Sequence, residues 1–263
     1  MILTAIIVLG LMGFIFAGLL GYAAGYFKIE EDPRIAQALA LLPGTNCGAC
    51  GSAGCRNFAE RLIKGEVPVT GCVSGGPDVA AALAKFMGVE ALQGLCKMTA
   101  AVHCGASESQ RRKKANYSGV RTCAAADLVD SGGLRCGYGC LGYGDCFLVC
   151  PFDAIRMKDG LPVIDHNKCT ACGKCVAACP RQIISLIPCD LGVLVACSSH
   201  DTGANTRKNC PVGCIACKIC EREAPNVFKV VDNLAVMDYS KTDIDCSAAI
   251  EKCPTKCIVI NKS

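Results

Sequence analysis

A long, uniformly apolar run begins the chain. Residues 2–27 carry no charged side chain, and a helix of that length crosses the roughly 30 Å hydrocarbon core of a bilayer. Tyr22 and Tyr26 fall near its end, where amphipathic rings favour the interface, and charges resume at Lys28. A secretory signal peptide is the alternative, but it would need a basic start and a shorter apolar run. The pattern predicts a transmembrane anchor over residues 1–28.

Helical spacing follows the anchor. Pro33 is placed to open a helix at its first position. Between residues 55 and 64 the apolar side chains fall on one helical face, and Asp78 has the character of an N-cap for a further helix over residues 79–87. We therefore predict a small helical domain over residues 29–90.

Strand-like alternation occurs twice, further along the chain. Residues 155–164 alternate around the turn signal Asp159–Gly160, which predicts a short β-hairpin. Residues 228–237 repeat the pattern, and the sequences that flank the two segments match. One supersecondary unit is therefore predicted to occur twice.

The composition points to metal or disulfide chemistry, because 24 of the 263 residues are cysteine. A share of about 9% approaches that of disulfide scaffolds, but those are short secreted chains. Clustered C-x2-C spacing in a longer chain favours metal over disulfides, and metal-bound thiolates require a reducing compartment. The net charge of +4 does not indicate a nucleic-acid partner, because a [4Fe–4S] core with four thiolates is itself anionic.

The clearest cysteine run has the spacing of bacterial ferredoxins. It reads C-x2-C-x2-C-x3-C-P from Cys169 to Pro180, and in this spacing the fourth cysteine ligates the other of two clusters. An earlier run, from Cys136 to Pro151, has extra residues inside it. Crossed ligation predicts two clusters, one held by Cys136, Cys140, Cys146 and Cys179, and the other by Cys150, Cys169, Cys172 and Cys175.

Two further cysteine groups flank these runs. The first, C-x2-C-x4-C-x16-C, predicts a [4Fe–4S] cluster, with zinc as the alternative; its members are Cys47, Cys50, Cys55 and Cys72. The last is a degraded ferredoxin pattern, in which Ala224 and Thr242 stand where the repeat predicts cysteine. It predicts one cluster, or else a metal-free remnant, on Cys214, Cys217, Cys220 and Cys253. About four clusters are predicted in all.

The other cysteines show no cluster spacing. Buried thiols that pack as small apolar side chains are the default interpretation for Cys96, Cys104, Cys123, Cys189, Cys197, Cys210, Cys246 and Cys257. An additional cluster drawn from this set stays open. The sequence has no Walker A loop, no G-x-G-x-x-G after a predicted strand and no evident nucleophile–base arrangement. The chain is therefore interpreted as an electron conductor.

These patterns together predict an α+β protein. A transmembrane helix and a small helical [4Fe–4S] domain precede bacterial ferredoxin-like (βαββαβ) units. The remaining boundaries are a connector at 91–132, a two-cluster unit at 133–188 and a one-cluster unit at 189–263. Lys28 and Arg34 follow the anchor and no basic residue precedes it, which places the C-terminal domains of a single-pass inner-membrane protein in the cytoplasm.

The order of these parts resembles the B subunit of the Rnf complex, the ion-translocating ferredoxin:NAD oxidoreductase. The likeness runs over essentially the whole chain. It is most specific at residues 136–146 (CGYGCLGYGDC), 150–155 (CPFDAI) and 196–201 (ACSSHD).

The resemblance implies a partner at each end of the relay. Soluble reduced ferredoxin would donate electrons, which other subunits of the membrane complex would carry to NAD. The released energy would drive Na+ or H+ across the bilayer, and partner subunits must form the ion path because one anchor cannot. Two alternatives are a polyferredoxin subunit of another membrane reductase or hydrogenase, and a zinc-bound interaction module without redox chemistry.

Overall fold

The computed structural model of the chain describes residues 2–26, 32–90, 96–189, 192–241 and 245–260. Its helices and strands confirm the α+β class. The apolar run forms α1 (Ile2–Tyr26). The stretch Ile6–Ala23 has a mean hydropathy of 2.3, and no part of it is buried. This helix has the length and composition to cross a membrane. Residues 27–31, which include the first charged side chains after the helix, lie outside the described residues.

A small helical unit follows. It consists of α2 (Pro33–Leu41), α3 (Cys55–Ile63) and α4 (Gly76–Met87). Pro33 opens α2, as predicted, and the three helices pack around Phe58, Leu62 and Leu83. The prediction that Asp78 caps α4 is wrong, because the helix begins earlier, with Gly75 as its N-cap. Asp78 lies in the first turn, where a carboxylate still interacts favourably with the helix dipole.

The middle of the chain has the ferredoxin-like topology. Its elements are β1 (Met98–Val102), α5 (Cys123–Asp127), α6 (Asp145–Leu148), β2 (Ile155–Lys158), β3 (Leu161–Ile164), α7 (Lys174–Ala178) and β4 (Ile184–Pro188). β1 pairs antiparallel with β4, with Met98 opposite Pro188. β2 and β3 form the predicted hairpin. Asp159 and Gly160 turn between them at positive φ, 50° and 74°, as a tight hairpin turn requires.

The C-terminal part repeats this topology. Its elements are β5 (Val193–Val195), α8 (Gly203–Asn209), α9 (Ile219–Glu223), β6 (Phe228–Val231), β7 (Leu234–Met237), α10 (Ser247–Glu251) and β8 (Ile258–Ile260). β5 pairs with β8 and β6 with β7, both antiparallel. The two hairpins bury their side chains in the same order, which confirms the internal repeat. Thr242 lies outside the described residues.

The segment predicted as a connector, residues 91–132, contributes to the first ferredoxin-like unit. It supplies β1, and α5 is held at both ends by that unit. The carboxylate of Asp145 accepts a hydrogen bond from the backbone N–H of Cys123 at 2.8 Å. Arg181 forms an ion pair with Asp127 at 2.6 Å. The helix α5 is therefore fixed beside α6 and the end of α7.

Both units carry a long insertion after their first strand. The first insertion, residues 103–144, separates β1 from α6, and the second insertion, residues 196–218, separates β5 from α9. The two insertions touch where they begin, because Gly105 N–H donates to the carbonyl of Ala196 at 3.0 Å. Cysteines just beyond the two strands are therefore brought close together.

Candidate iron–sulfur sites

The first cage lies in the helical unit and consists of the predicted Cys47, Cys50, Cys55 and Cys72. Cys55 begins α3, and the side chain of Asn46 accepts its backbone N–H at 2.8 Å. Ser74 Oγ lies 3.0 Å from Cys47 Sγ. Burial raises the pKa of Cys72, and the other three thiols add to the shift. All four cysteines are therefore within electrostatic reach of one another, at a helix N-terminus that favours an anion.

The second cage lies in the first ferredoxin-like unit. One small cavity, of about 20 Å³, is lined by all four predicted ligands, Cys150, Cys169, Cys172 and Cys175. The backbone N–H of Ala100 donates to Cys169 Sγ at 3.4 Å. Burial raises the pKa of Cys175 to about 11, with Cys169 and Cys172 adding to the shift. The structure thus brings this predicted set together.

The third cage differs from the predicted set in one member. A second cavity of about 20 Å³ is lined by Cys123, Cys140, Cys146 and Cys179. Burial raises the pKa of Cys140 and of Cys146 to about 12. Cys136, which the spacing assigned here, lines a different cavity. The extra residues in the first cysteine run carry Cys136 away from the cage, and Cys123 arrives from α5.

The fourth cage lies in the C-terminal unit and consists of the predicted Cys214, Cys217, Cys220 and Cys253. Burial raises the pKa of Cys220 to about 11, and Cys214, Cys217 and Cys253 are among its charged neighbours. A fifth thiol is present, since Cys257 Sγ lies 3.6 Å from Cys253 Sγ. A hydrogen bond from Cys257 lowers the pKa of Cys214 to about 6 and that of Cys253 to about 4.

A further cavity, which we call the junction cavity, lies where the two insertions meet. Its volume is about 30 Å³, and the four cysteines that line it are Cys104, Cys136, Cys197 and Cys210. Sequence spacing missed three of them, because they are far apart in the chain. The structure shows a regularity between the two units: Cys104 and Cys197 each stand two residues after the first strand of their unit.

The donor chemistry of the cages fits iron–sulfur clusters. Each offers cysteine sulfurs in fours, the ligand set of a [4Fe–4S] cluster. Among the described residues no three His, Cys, Asp or Glu side chains converge on a single metal ion, and a cubane does not require this because each thiolate binds a different iron. His103, His166 and His200 are hydrogen-bonded to protein groups.

Three segments match known iron–sulfur families. Residues 42–74 match the family described as a putative Fe-S cluster, and residues 162–185 match the 4Fe-4S binding domain. Residues 208–260 match the 4Fe-4S single cluster domain of ferredoxin I. The chain binds several [4Fe–4S] clusters, and its fold and cages define an iron–sulfur electron-transfer protein.

Relatives match almost the whole chain. The B subunit of the Na(+)-translocating ferredoxin:NAD(+) oxidoreductase complex of Acetobacterium woodii is 42% identical over 98% of this chain and 77% of its own length. The B subunit of the proton-translocating ferredoxin:NAD(+) oxidoreductase complex of Clostridium ljungdahlii is 40% identical, over 98% and 92%. The B subunit of the ion-translocating oxidoreductase complex of Methanosarcina acetivorans is 37% identical, over 98% and 97%.

The chain belongs to this family, the B subunits of the Rnf-type ion-translocating oxidoreductase complexes. It is a redox subunit, and its partners are the other subunits of a multisubunit complex. The apolar α1, whose stretch Ile6–Ala23 is unburied, is consistent with a membrane-associated subunit.

Proposed function

We propose that the chain relays electrons from reduced soluble ferredoxin toward NAD, in a complex whose partner subunits move Na+ or H+. The observation that carries the proposal is a series of thiol cages, in which the first adjoins the second and the second adjoins the third. A polyferredoxin subunit of another reductase or hydrogenase is not favoured, because the relatives match this chain from the apolar helix to the C-terminal unit.

The ligands follow from the cages. The first, second and fourth cages each offer the four predicted cysteines, and the third offers Cys140, Cys146 and Cys179. A cluster bound there supplies reversible one-electron transfer. The protein holds each cluster by thiolates, directs backbone N–H groups at sulfur, as Ala100 does at Cys169, and keeps water from the buried ligands. Hydrogen bonding, burial and nearby charge then set the potentials.

Contacts between neighbouring units support a continuous path. One cavity is lined by Cys72 from the first cage and by Cys169 from the second. The second and third cages belong to one ferredoxin-like unit, whose helices α6 and α7 each carry a ligand of one cage and are followed by a ligand of the other. Cys146 lies in α6 and belongs to the third cage, while Cys150 follows this helix and belongs to the second. In α7 the order is reversed, because Cys175 belongs to the second cage and Cys179, which follows the helix, belongs to the third.

The helix α1 would anchor this relay beside the bilayer. In the arrangement we propose, α1 crosses the inner membrane once and the cages face the cytoplasm, where ferredoxin and reduced thiols occur. Lys28 and Arg34 on the C-terminal side of the apolar run support this orientation.

The test uses the full chain within its membrane complex, purified without oxygen. Stoichiometric reduced ferredoxin is added, and EPR at low temperature follows the clusters, with NADH formation measured in parallel. We expect several reduced [4Fe–4S] signals before NADH appears. Material that holds zinc in place of iron, or clusters that ferredoxin leaves oxidised, would refute the relay.

A further inference from the structure

We propose that the junction cavity holds a fifth [4Fe–4S] cluster, ligated by Cys104, Cys136, Cys197 and Cys210, and that Cys123 is the fourth ligand of the third cage. The inference rests on the proposed function in one respect, that the cages are loaded with iron–sulfur clusters. It changes both the number of clusters and the ligand pairing that the sequence spacing predicts.

The two insertions build the junction cavity from both ferredoxin-like units. Gly105 N–H donates to Ala196 O at 3.0 Å, and Ser198 Oγ donates to His103 O at 3.0 Å. These bonds clamp together the residues that immediately flank Cys104 and Cys197. The positions of the two thiols therefore depend on the contact between the units, and no single C-x2-C loop supplies them.

The other two ligands are fixed in a similar way. Cys210 is the C-cap residue of α8, and the carbonyl of Lys208 in the same helix accepts a hydrogen bond from Arg112 at 2.6 Å. The ring of Tyr138, two residues after Cys136, contacts the ring of His200, with centroids 5.6 Å apart. Each insertion thus holds a loop of the other.

The sulfur environment matches that of the ferredoxin-type cage. Backbone N–H groups point at the sulfurs: Cys140 N–H donates to Cys104 Sγ at 3.4 Å, and Cys214 N–H donates to Cys197 Sγ at 3.2 Å. The second cage shows the same contact, at 3.4 Å to Cys169. Such bonds favour the charged thiolate over the neutral thiol and help to set cluster potentials.

Small residues, among them Gly139 and Gly213, form part of the cavity lining. Its volume of about 30 Å³ compares with about 20 Å³ at each of the two ferredoxin-type cages. A Cβ atom added at Gly213 would lie 2.5 Å from Cγ2 of Thr206 in α8, so the loop that follows Cys210 can pack this closely against the helix only with glycine at this position. Arg111 and Arg112 line the same cavity, and their positive charge suits an anionic cluster.

The third cage is complete without Cys136. Asp145 precedes the ligand Cys146 and holds the N-terminus of α5 through the backbone of Cys123. Arg181 follows the ligand Cys179 by two residues and holds the other end of α5 through Asp127. The chain therefore fixes Cys123 at this cage from two sides.

The fifth site lies between the clusters of the two ferredoxin-like units. Cys104 receives its N–H bond from Cys140, a ligand of the third cage, and Cys197 receives its own from Cys214, a ligand of the fourth. A cluster in the junction cavity would join these two cages into one path. The fourth cage would then be reached through the junction cavity.

Iron counting on the anaerobic full-length chain tests the ligand pairing. We expect Cys136→Ala and Cys197→Ala each to lose one cluster, about four iron atoms. The double variant Cys136→Ala/Cys197→Ala should lose the same four, because both ligands serve one cluster. The double variant Cys123→Ala/Cys197→Ala should lose about eight.

Control variants and EPR make each outcome decisive. Cys189→Ala, which removes a cysteine outside the five sites, should keep all its iron, and the EPR signals of the remaining clusters report that each variant is folded. Full iron in Cys197→Ala, a loss of about eight in Cys136→Ala/Cys197→Ala, or zinc in the junction cavity would overturn the inference. Wild-type protein with fewer clusters that ferredoxin still reduces would overturn the fifth site alone, whereas wild-type protein without iron would refute the relay itself.

Discussion

Burial and hydrogen bonding shift the pKa of individual cage thiols in opposite directions. Burial raises the pKa of Cys140 and Cys146 to about 12, so these side chains are neutral thiols until iron displaces their protons. At the fourth cage a hydrogen bond from Cys257 lowers the pKa of Cys253 to about 4. The hydrogen bond therefore favours the thiolate form of Cys253, whereas burial favours the neutral thiol at Cys140 and Cys146.

The most direct residue-scale prediction concerns the second cage. Cys172→Ala should remove one cluster, about four iron atoms per chain, and stop electron flow from ferredoxin to NAD, because this cage is an internal member of the series. Iron and acid-labile sulfide measured on the anaerobic protein check the first effect, and NADH formation the second. Cys96→Ala, a change at an exposed cysteine, is the matched control. Unchanged iron in Cys172→Ala would contradict the ligand assignment.

Cys257 gives a second prediction at the same scale. Its thiol lies 3.6 Å from Cys253 Sγ, where it can donate to a ligand sulfur without binding iron. Cys257→Ala should therefore keep the iron content but lower the midpoint potential of the fourth cluster by on the order of 40 mV, the equivalent of one hydrogen bond for a one-electron couple. EPR-monitored redox titration measures the shift, with Cys246→Ala as the control. Loss of iron would show instead that Cys257 is a ligand.

Some of the helices and strands are specified by local sequence signals, and others are not. The hairpin β2–β3 and the helix α3 follow from alternation, a turn dipeptide and apolar periodicity, all within ten or so residues. The strands β1 and β5 have no such signal, and β1 finds its partner only at the far end of its unit, where Met98 pairs with Pro188. The sequence could not show that the supposed connector begins a ferredoxin-like unit.

The same reason limits prediction of the sites. For the first and second cages the structure brings together the cysteines that the spacing predicts, because most of them lie within one tight loop. The junction cavity takes one thiol from each of four separate stretches, and only the folded insertions bring these together. The equal offset of Cys104 and Cys197 from β1 and β5 becomes visible only once the structure defines the two strands.

The apolar helix gives a prediction at the element scale. Removing residues 1–26 should yield a water-soluble chain that keeps its clusters, because α1 carries no cage cysteine and its stretch Ile6–Ala23 is unburied. Iron content per chain should be unchanged, while binding to lipid vesicles should be lost. Full-length protein in detergent is the control. Loss of the clusters would mean that α1 is needed for folding and does more than anchor.

On the scale of the whole molecule, contacts order the sites as first cage, second cage, third cage, junction cavity and fourth cage. Two repeated units place their clusters in one series because each carries an insertion that reaches toward the other. The fold therefore arranges the clusters of the two duplicated units as one longer electron-transfer chain. A conductor in series has a property that separate cluster domains lack, since one break isolates everything beyond it.

That property can be tested by breaking the series at different points. In Cys172→Ala, reduced ferredoxin should rapidly reduce only the clusters on its own side of the second cage, and the clusters beyond should be reduced slowly. Cys220→Ala removes a ligand of the terminal fourth cage and should leave the internal clusters connected. Freeze-quench EPR after mixing with ferredoxin distinguishes the two variants and shows which end faces the donor. If all remaining clusters were reduced at wild-type rates in Cys172→Ala, the sites would act independently, because a relay in series cannot bypass a missing internal member.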